Sequence, residues 1–151
     1  MVDRFERFSV AIAEISRCWH KLATDEMAKY GLKGSHAIYL TTMFRLKDGV
    51  TAPQLGELCG KDKADVSRMM SIMEAKGLVI KESTYQNMYR GLLKLTDEGK
   101  RAAEQVCERA RVAVEVAGKG LTEENRAVFY EVLETITGNL RAMSREGIPL
   151  G

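Results

Sequence analysis

Asp62-Lys63-Ala64-Asp65-Val66-Ser67-Arg68-Met69-Met70 stands at the centre of residues 52–90, and the reading of this stretch decides the fold. Val66, Met69, Met70 and Met73 recur at three- and four-residue spacing, which is one apolar stripe of a helix. At about 100° per residue, the opposite face carries Ala64, Arg68, Ser71 and Ala75, with Ser67 on its flank. Small side chains let a helix backbone come close to base edges. An arginine can grip guanine through two hydrogen bonds, and an alanine methyl can touch thymine. Two readings fit this face: a helix that enters a DNA major groove, or an ordinary amphipathic helix whose exposed side is small.

The flanking segments favour the first. Asp48-Gly49 is a turn signal, and Thr51 is placed to cap a short helix over 52–59, with Pro53 in its first turn. Leu55 and Leu58 are expected inside that helix. Gly60 breaks it, Asp62 caps the next, and Asp65 puts an acid at the helix N-terminus. Two short helices joined by a glycine-containing turn form a helix-turn-helix. Gly77 ends the second helix. Leu78-Val79-Ile80-Lys81-Glu82 and Gly91-Leu92-Leu93-Lys94-Leu95 then read as two strands around the polar tip Ser83–Arg90, a two-stranded wing. Tyr85, Gln86, Asn87, Tyr89 and Arg90 are its candidate DNA contacts; the alternative is a solvated hairpin.

Outside this centre the chain reads as helix. Residues 3–29 hold Phe5, Phe8, Ile12, Ile15, Trp19 and Leu22 in a heptad-like stripe, stopped by Gly31. Such a stripe needs cover, from an intrachain core or from a second copy. Residues 34–47 form a second helix with Ile38, Leu40, Met43, Phe44 and Leu46 as expected core. Thr96 caps a helix lined by Ala102, Ala103, Val106, Cys107, Ala110 and Val114, ended by Gly118 and Gly120. Thr122 caps a last one, striped by Val128, Phe129, Val132, Leu133, Ile136, Leu140 and Met143. The fold class is therefore mainly α with a small β-wing.

Composition limits the function. At 151 residues, 45% hydrophobic and 29% charged, the chain fits one soluble globular protomer. Its apolar runs are too short for a membrane span, and Met1–Ser9 carries both charge signs with no apolar core, so no secretory signal is expected. Cys18, Cys59 and Cys107 are odd in number and far apart, which fits a reducing cytoplasm. Cys18 reads as a semi-buried structural cysteine rather than a redox sensor, and Cys59 and Cys107 as packing residues. Net charge is +2, and residues 61–90 carry a local excess of two cations, so charge alone does not announce nucleic acid. No catalytic constellation stands out, and no Cys or His pair has metal-ligand spacing. An enzyme, a metal and a cofactor are not expected.

Element order and three motifs together resemble the MarR family of bacterial and archaeal transcription regulators. The motifs are Lys63-Ala64-Asp65-Val66-Ser67-Arg68, Glu74-Ala75-Lys76-Gly77-Leu78-Val79 and Leu95-Thr96-Asp97-Glu98-Gly99. The resemblance spans the whole chain. It implies a winged-helix homodimer, with a dimerisation region of residues 3–33 and 97–146 and a DNA-binding lobe of 34–96. The function implied is a sequence-specific regulator of double-stranded DNA, a repressor at a pseudo-palindromic operator. Lys63, Ala64, Ser67 and Arg68 fall where family members meet DNA, and Arg90 falls near the family's wing arginine. Lys61, Lys63 and the wing would hold phosphates, and Ala64, Ser67 and Arg68 would read bases. The wing departs from the family's Asp-x-Arg-Asp-like signature: between Ser83 and Arg90 there is no aspartate and one arginine. The family also implies a small aromatic or anionic effector, with Trp19, His20, Tyr30, His36 and Tyr39 available to line its crevice; as residues alone, these aromatics also read as core and the histidines as exposed. A dimeric helical scaffold for a protein partner is the other function class that fits.

Overall fold

The computed structural model describes residues 3–83 and 91–151. Its elements are α1 (Arg4–Ala28), a 3₁₀ turn (Gly34–His36), α2 (Ala37–Arg45), β1 (Val50–Thr51), α3 (Ala52–Cys59), α4 (Lys63–Ala75), β2 (Val79–Glu82), β3 (Leu92–Leu95), α5 (Asp97–Ala117) and α6 (Glu123–Glu146). The chain divides into two compact units, Met1–Ala110 and Arg111–Gly151.

Local chemistry explains where the helices of the first unit begin and end. Thr51 and Gln54 form a reciprocal capping box at α3, with Gln54 N–H donating to Thr51 Oγ1 at 3.4 Å and Thr51 N–H to Gln54 Oε1 at 3.1 Å. Gly60 takes a left-handed φ of 64°, which turns the chain out of α3, and Asp62 caps α4 by accepting from Asp65 N–H at 2.8 Å. At the far end Gly77 has φ 74°, and Leu78 N–H reaches back to Met73 O at 2.9 Å, a Schellman closure. Leu78 thus belongs to the helix closure, and the strand starts one residue later than the apolar run suggests.

The sheet has three strands in the order β1-β3-β2, all antiparallel. Val50 pairs with Leu93 and Thr51 with Leu92, while Val79 pairs with Leu95 and Glu82 with Leu92. The expected two-stranded wing therefore gains a third strand. Two residues are too few to show the period-2 pattern that identifies a strand in sequence.

One core unites these elements, built on Met27, Tyr39, Leu40, Met43, Leu55, Val66, Met70, Met73, Val79, Leu93, Ala103 and Val106. Two expected core residues are corrected. Ile38 is exposed because the buried face of α2 runs through Tyr39, Leu40 and Met43, so that Ile38 lies on its flank. Leu58 is exposed because the eight-residue α3 turns only Leu55, Gly56 and Cys59 inward. Gly56 is required there: an added Cβ would stand 2.9 Å from Lys61 O, across the bend between α3 and α4.

The long helices differ. In α1 only Met27 is buried, and Phe5, Phe8, Ile12, Ile15, Trp19 and Leu22 are all exposed. Cys18 is exposed with them rather than semi-buried, because among the described residues of the first unit none packs over this length of α1. In the second unit, α6 has no buried residue, and Val128, Phe129, Val132, Leu133 and Leu140 stand exposed. Its start is capped by Thr122, which accepts from Asn125 N–H at 3.1 Å.

Candidate nucleic-acid interface

The α4 helix separates into the two faces that its spacing predicts. Val66, Met69, Met70 and Met73 are buried, while Lys63, Ala64, Ser67, Arg68, Ser71 and Ala75 are exposed. Lys61, just before the N-cap, is exposed as well. The outer face thus joins short side chains to one guanidinium, with two ammonium groups at the helix N-terminal end. Asp62 and Asp65 occupy that end too, so the side-chain positive charge there comes from Lys61 and Lys63 beside two carboxylates.

The acids are not loose. Asp62 is engaged with the backbone of Asp65. Asp65 accepts a hydrogen bond at Oδ2 from the hydroxyl of Tyr39, and its Oδ1 faces Arg68 Nη2 at 3.4 Å. Donation from Tyr39 holds the Asp65 carboxyl below the usual carboxylate range; Lys61 and Arg68 act in the same direction and burial opposes them. Burial, and then the same carboxylate, push the Tyr39 phenol well above its ordinary value. Nothing in sequence spacing links residue 39 to residue 65, so this contact lies beyond sequence reasoning.

Tyr85, Gln86, Asn87 and Arg90, with Tyr89, lie outside the described residues. Before them, β2 ends at Glu82, whose carboxylate forms an ion pair with Lys94 of β3 at 2.9 Å.

The five residues suggested for an effector crevice do not share one environment. Tyr39 and His36 are buried, Trp19 and His20 are exposed on α1, and Tyr30 donates its hydroxyl to Gln105 Oε1 at 2.6 Å. His36 accepts at Nδ1 from Lys33 N–H at 3.0 Å, which places the remaining proton on Nε2. That Nε2 is buried and has no hydrogen-bond partner among the described residues, and burial lowers the imidazole pKa. A separate cleft of about 310 Å³ is lined by Met43, Phe44, Leu46, Lys47, Leu95, Lys100 and Glu104, and includes none of the five.

No protein-family model matches the chain, and no curated protein is similar to it in sequence. Solved structures do match in fold. A MarR family transcriptional regulator from Listeria monocytogenes, solved in complex with 26mer DNA, is 22% identical, covers 100% of this chain and 99% of its own, and has a TM-score of 0.79. A MarR transcriptional regulator from Methanosarcina mazei Go1 is 19% identical, with 91% of this chain and 99% of its own covered at a TM-score of 0.80. A third MarR family transcription regulator reaches a TM-score of 0.84 at 17% identity, covering 95% of each chain. The chain has the winged-helix fold of these proteins, mainly helical with a small antiparallel sheet.

Proposed function

We propose that this chain is a MarR-family transcriptional regulator that binds specific sequences of double-stranded DNA as a homodimer. One observation carries the reading: α4 buries its methionine stripe and leaves Ala64, Ser67, Arg68 and Ser71 exposed as a continuous outer face. A face of this kind suits a major groove, with Ala64, Ser67 and Arg68 meeting base edges. Lys61, Lys63 and the wing residues Tyr85, Gln86, Asn87 and Arg90 would position the protein on phosphates. Similar structures support the reading, since the Listeria protein of this fold was solved with DNA.

Dimerisation uses residues 3–33 and 97–146, and the lobe of residues 34–96 carries the DNA contacts. The exposed stripes of α1 and α6 support this division, because apolar surface on that scale requires cover. A two-fold dimer would present two α4 helices about one DNA turn apart, roughly 34 Å, to a pseudo-palindromic site. Such a protein works in the cytosol, at the nucleoid. Repression is its expected mode, with release by a small aromatic or anionic effector. The cleft between α2, β3 and α5 suits such a ligand: Met43, Phe44 and Leu95 offer apolar surface, and Lys47 and Lys100 offer charge. An effector would act by favouring a dimer in which the two α4 helices are wrongly spaced.

Selection of bound sequences from random duplex DNA at two salt concentrations, with Arg68→Ala alongside, tests the reading. A palindromic motif that Arg68→Ala relaxes by about 1–3 kcal/mol supports it. Binding that stays weak and unselective at low salt would overturn it in favour of a dimeric scaffold for a protein partner, because phosphate contacts would release counterions and strengthen as salt falls.

A further inference from the structure

We infer that Tyr39 and Asp65 are positioning residues that set the guanidinium of Arg68 for base recognition. The inference rests on the reading of α4 as the helix that meets DNA. Its evidence is a chain of contacts from core to surface. Tyr39 is fully buried on α2, and its hydroxyl donates to Asp65 Oδ2. The other carboxylate oxygen faces Arg68 Nη2 at 3.4 Å, and the Asp65 backbone N–H is tied to Asp62 Oδ1 at 2.8 Å. Both ends of Asp65 are thus held, its backbone by the N-cap and its carboxylate by a buried phenol.

Exposure makes the arrangement unusual. The Arg68 side chain is 67% exposed, where an ion pair one turn away ordinarily contributes little, since two mobile side chains must be ordered to form it. Here the acid is already ordered, with a side chain only 20% exposed. The entropy lost on pairing falls mainly on the arginine. A guanidinium has five donors, so one contact to Asp65 leaves enough for a two-bond grip on guanine. An arginine held before binding gives up less freedom on meeting its base, and it loses more on meeting a wrong one. The contacts therefore sharpen discrimination at one base position of each half-site, while attraction to phosphates is independent of them.

Tyr39→Phe removes only the hydroxyl and keeps the buried ring. Base preferences are read by selection from random duplexes for the wild-type chain, Tyr39→Phe, Arg68→Ala and the double variant. Tyr39→Phe should flatten the same base position that Arg68→Ala flattens, by about tenfold in preference, with affinity for unrelated duplex within about twofold. The double variant should be no worse than Arg68→Ala alone, since the tyrosine acts through the arginine. Asp65→Asn keeps one acceptor for Tyr39 but turns an amide donor toward Arg68 in place of the carboxylate, and should flatten that position at least as much as Tyr39→Phe. A wild-type preference in Tyr39→Phe overturns the inference and leaves DNA reading by α4 intact. So does a loss in the double variant that adds in full to that of Arg68→Ala, or a uniform weakening on all duplexes. A wild-type chain with no base preference overturns the reading of α4 and this inference with it.

Discussion

The carbonyl oxygen of Leu78 fills the space in which a side chain on Gly99 would begin. A Cβ there would overlap that oxygen and lie 3.0 Å from the carbonyl carbon. The same carbonyl accepts from Thr96 N–H at 3.0 Å, while the Thr96 hydroxyl donates to Gly77 O at 2.6 Å and accepts from Gly99 N–H at 3.0 Å. The first turn of α5 is therefore docked against the chain that leaves α4, and glycine is what permits the approach.

Gly99→Ala should destabilise the protein by roughly 1–3 kcal/mol or more, because the blocking atom is backbone and cannot rotate aside. Chemical denaturation measures the loss. Gly138→Ala on α6 is the control: an added Cβ there meets nothing within 4 Å, and replacing a mid-helix glycine should stabilise by about 0.5–1 kcal/mol. Equal effects at the two sites would show that the Leu78 contact is unimportant.

Stability should fall as pH drops from 7 toward 5, through His36. Burial depresses its pKa below the ordinary 6.5, so the unfolded chain takes up the proton more readily than the folded one. The stability this gives is fully present above the unfolded value and is lost as pH falls through the folded one. Thermal midpoints across this range should decline for the wild type and flatten for His36→Gln. An unchanged slope in His36→Gln would assign the dependence elsewhere.

The exposed stripes predict the assembly. Ile15 and Leu133 lie on α1 and α6 with 63% and 38% of their surfaces exposed in the single chain. Ile15→Glu or Leu133→Glu would place a charge in an apolar contact and should shift a dimer toward monomer at micromolar concentration in sedimentation velocity. Helical content should survive in the first unit, whose core includes neither residue. Monomeric wild type at the same concentration would count against the dimer.

Lys63→Ala and Arg68→Ala should separate two kinds of DNA contact. Loss of a phosphate-binding lysine weakens all duplexes alike and lowers the slope of log affinity against log salt by about one. Loss of Arg68 should instead relax base preference. A Lys63→Ala variant with the full wild-type slope would remove this residue from the phosphate contacts.

Much of the fold was legible in the sequence because it is governed within one or two helical turns. Asp62, Thr51 and Thr122 cap helices as their positions suggest, since a cap needs only a side-chain oxygen and an N–H three residues on. The two faces of α4 follow from 3.6-residue periodicity alone. Ile38 and Leu58 fail for a related reason: in short helices periodicity allows several buried lines, and the neighbouring elements choose one. His36 and Tyr39, two of the residues available to line an effector crevice, are both buried, and that burial is set by how α2 packs rather than by local spacing.

By itself, then, the sequence determined the helices, their stops, the stripe that α4 buries and the small outer face with Arg68. Tertiary structure alone decided the pairing of Val50 with Leu93, the approach of Gly99 to Leu78, and the hydroxyl of Tyr39 on Asp65. The first group rests on interactions between residues a few positions apart, which sequence spacing displays directly. The second joins residues about 20 to 40 positions apart, where the partner is chosen by how whole elements pack.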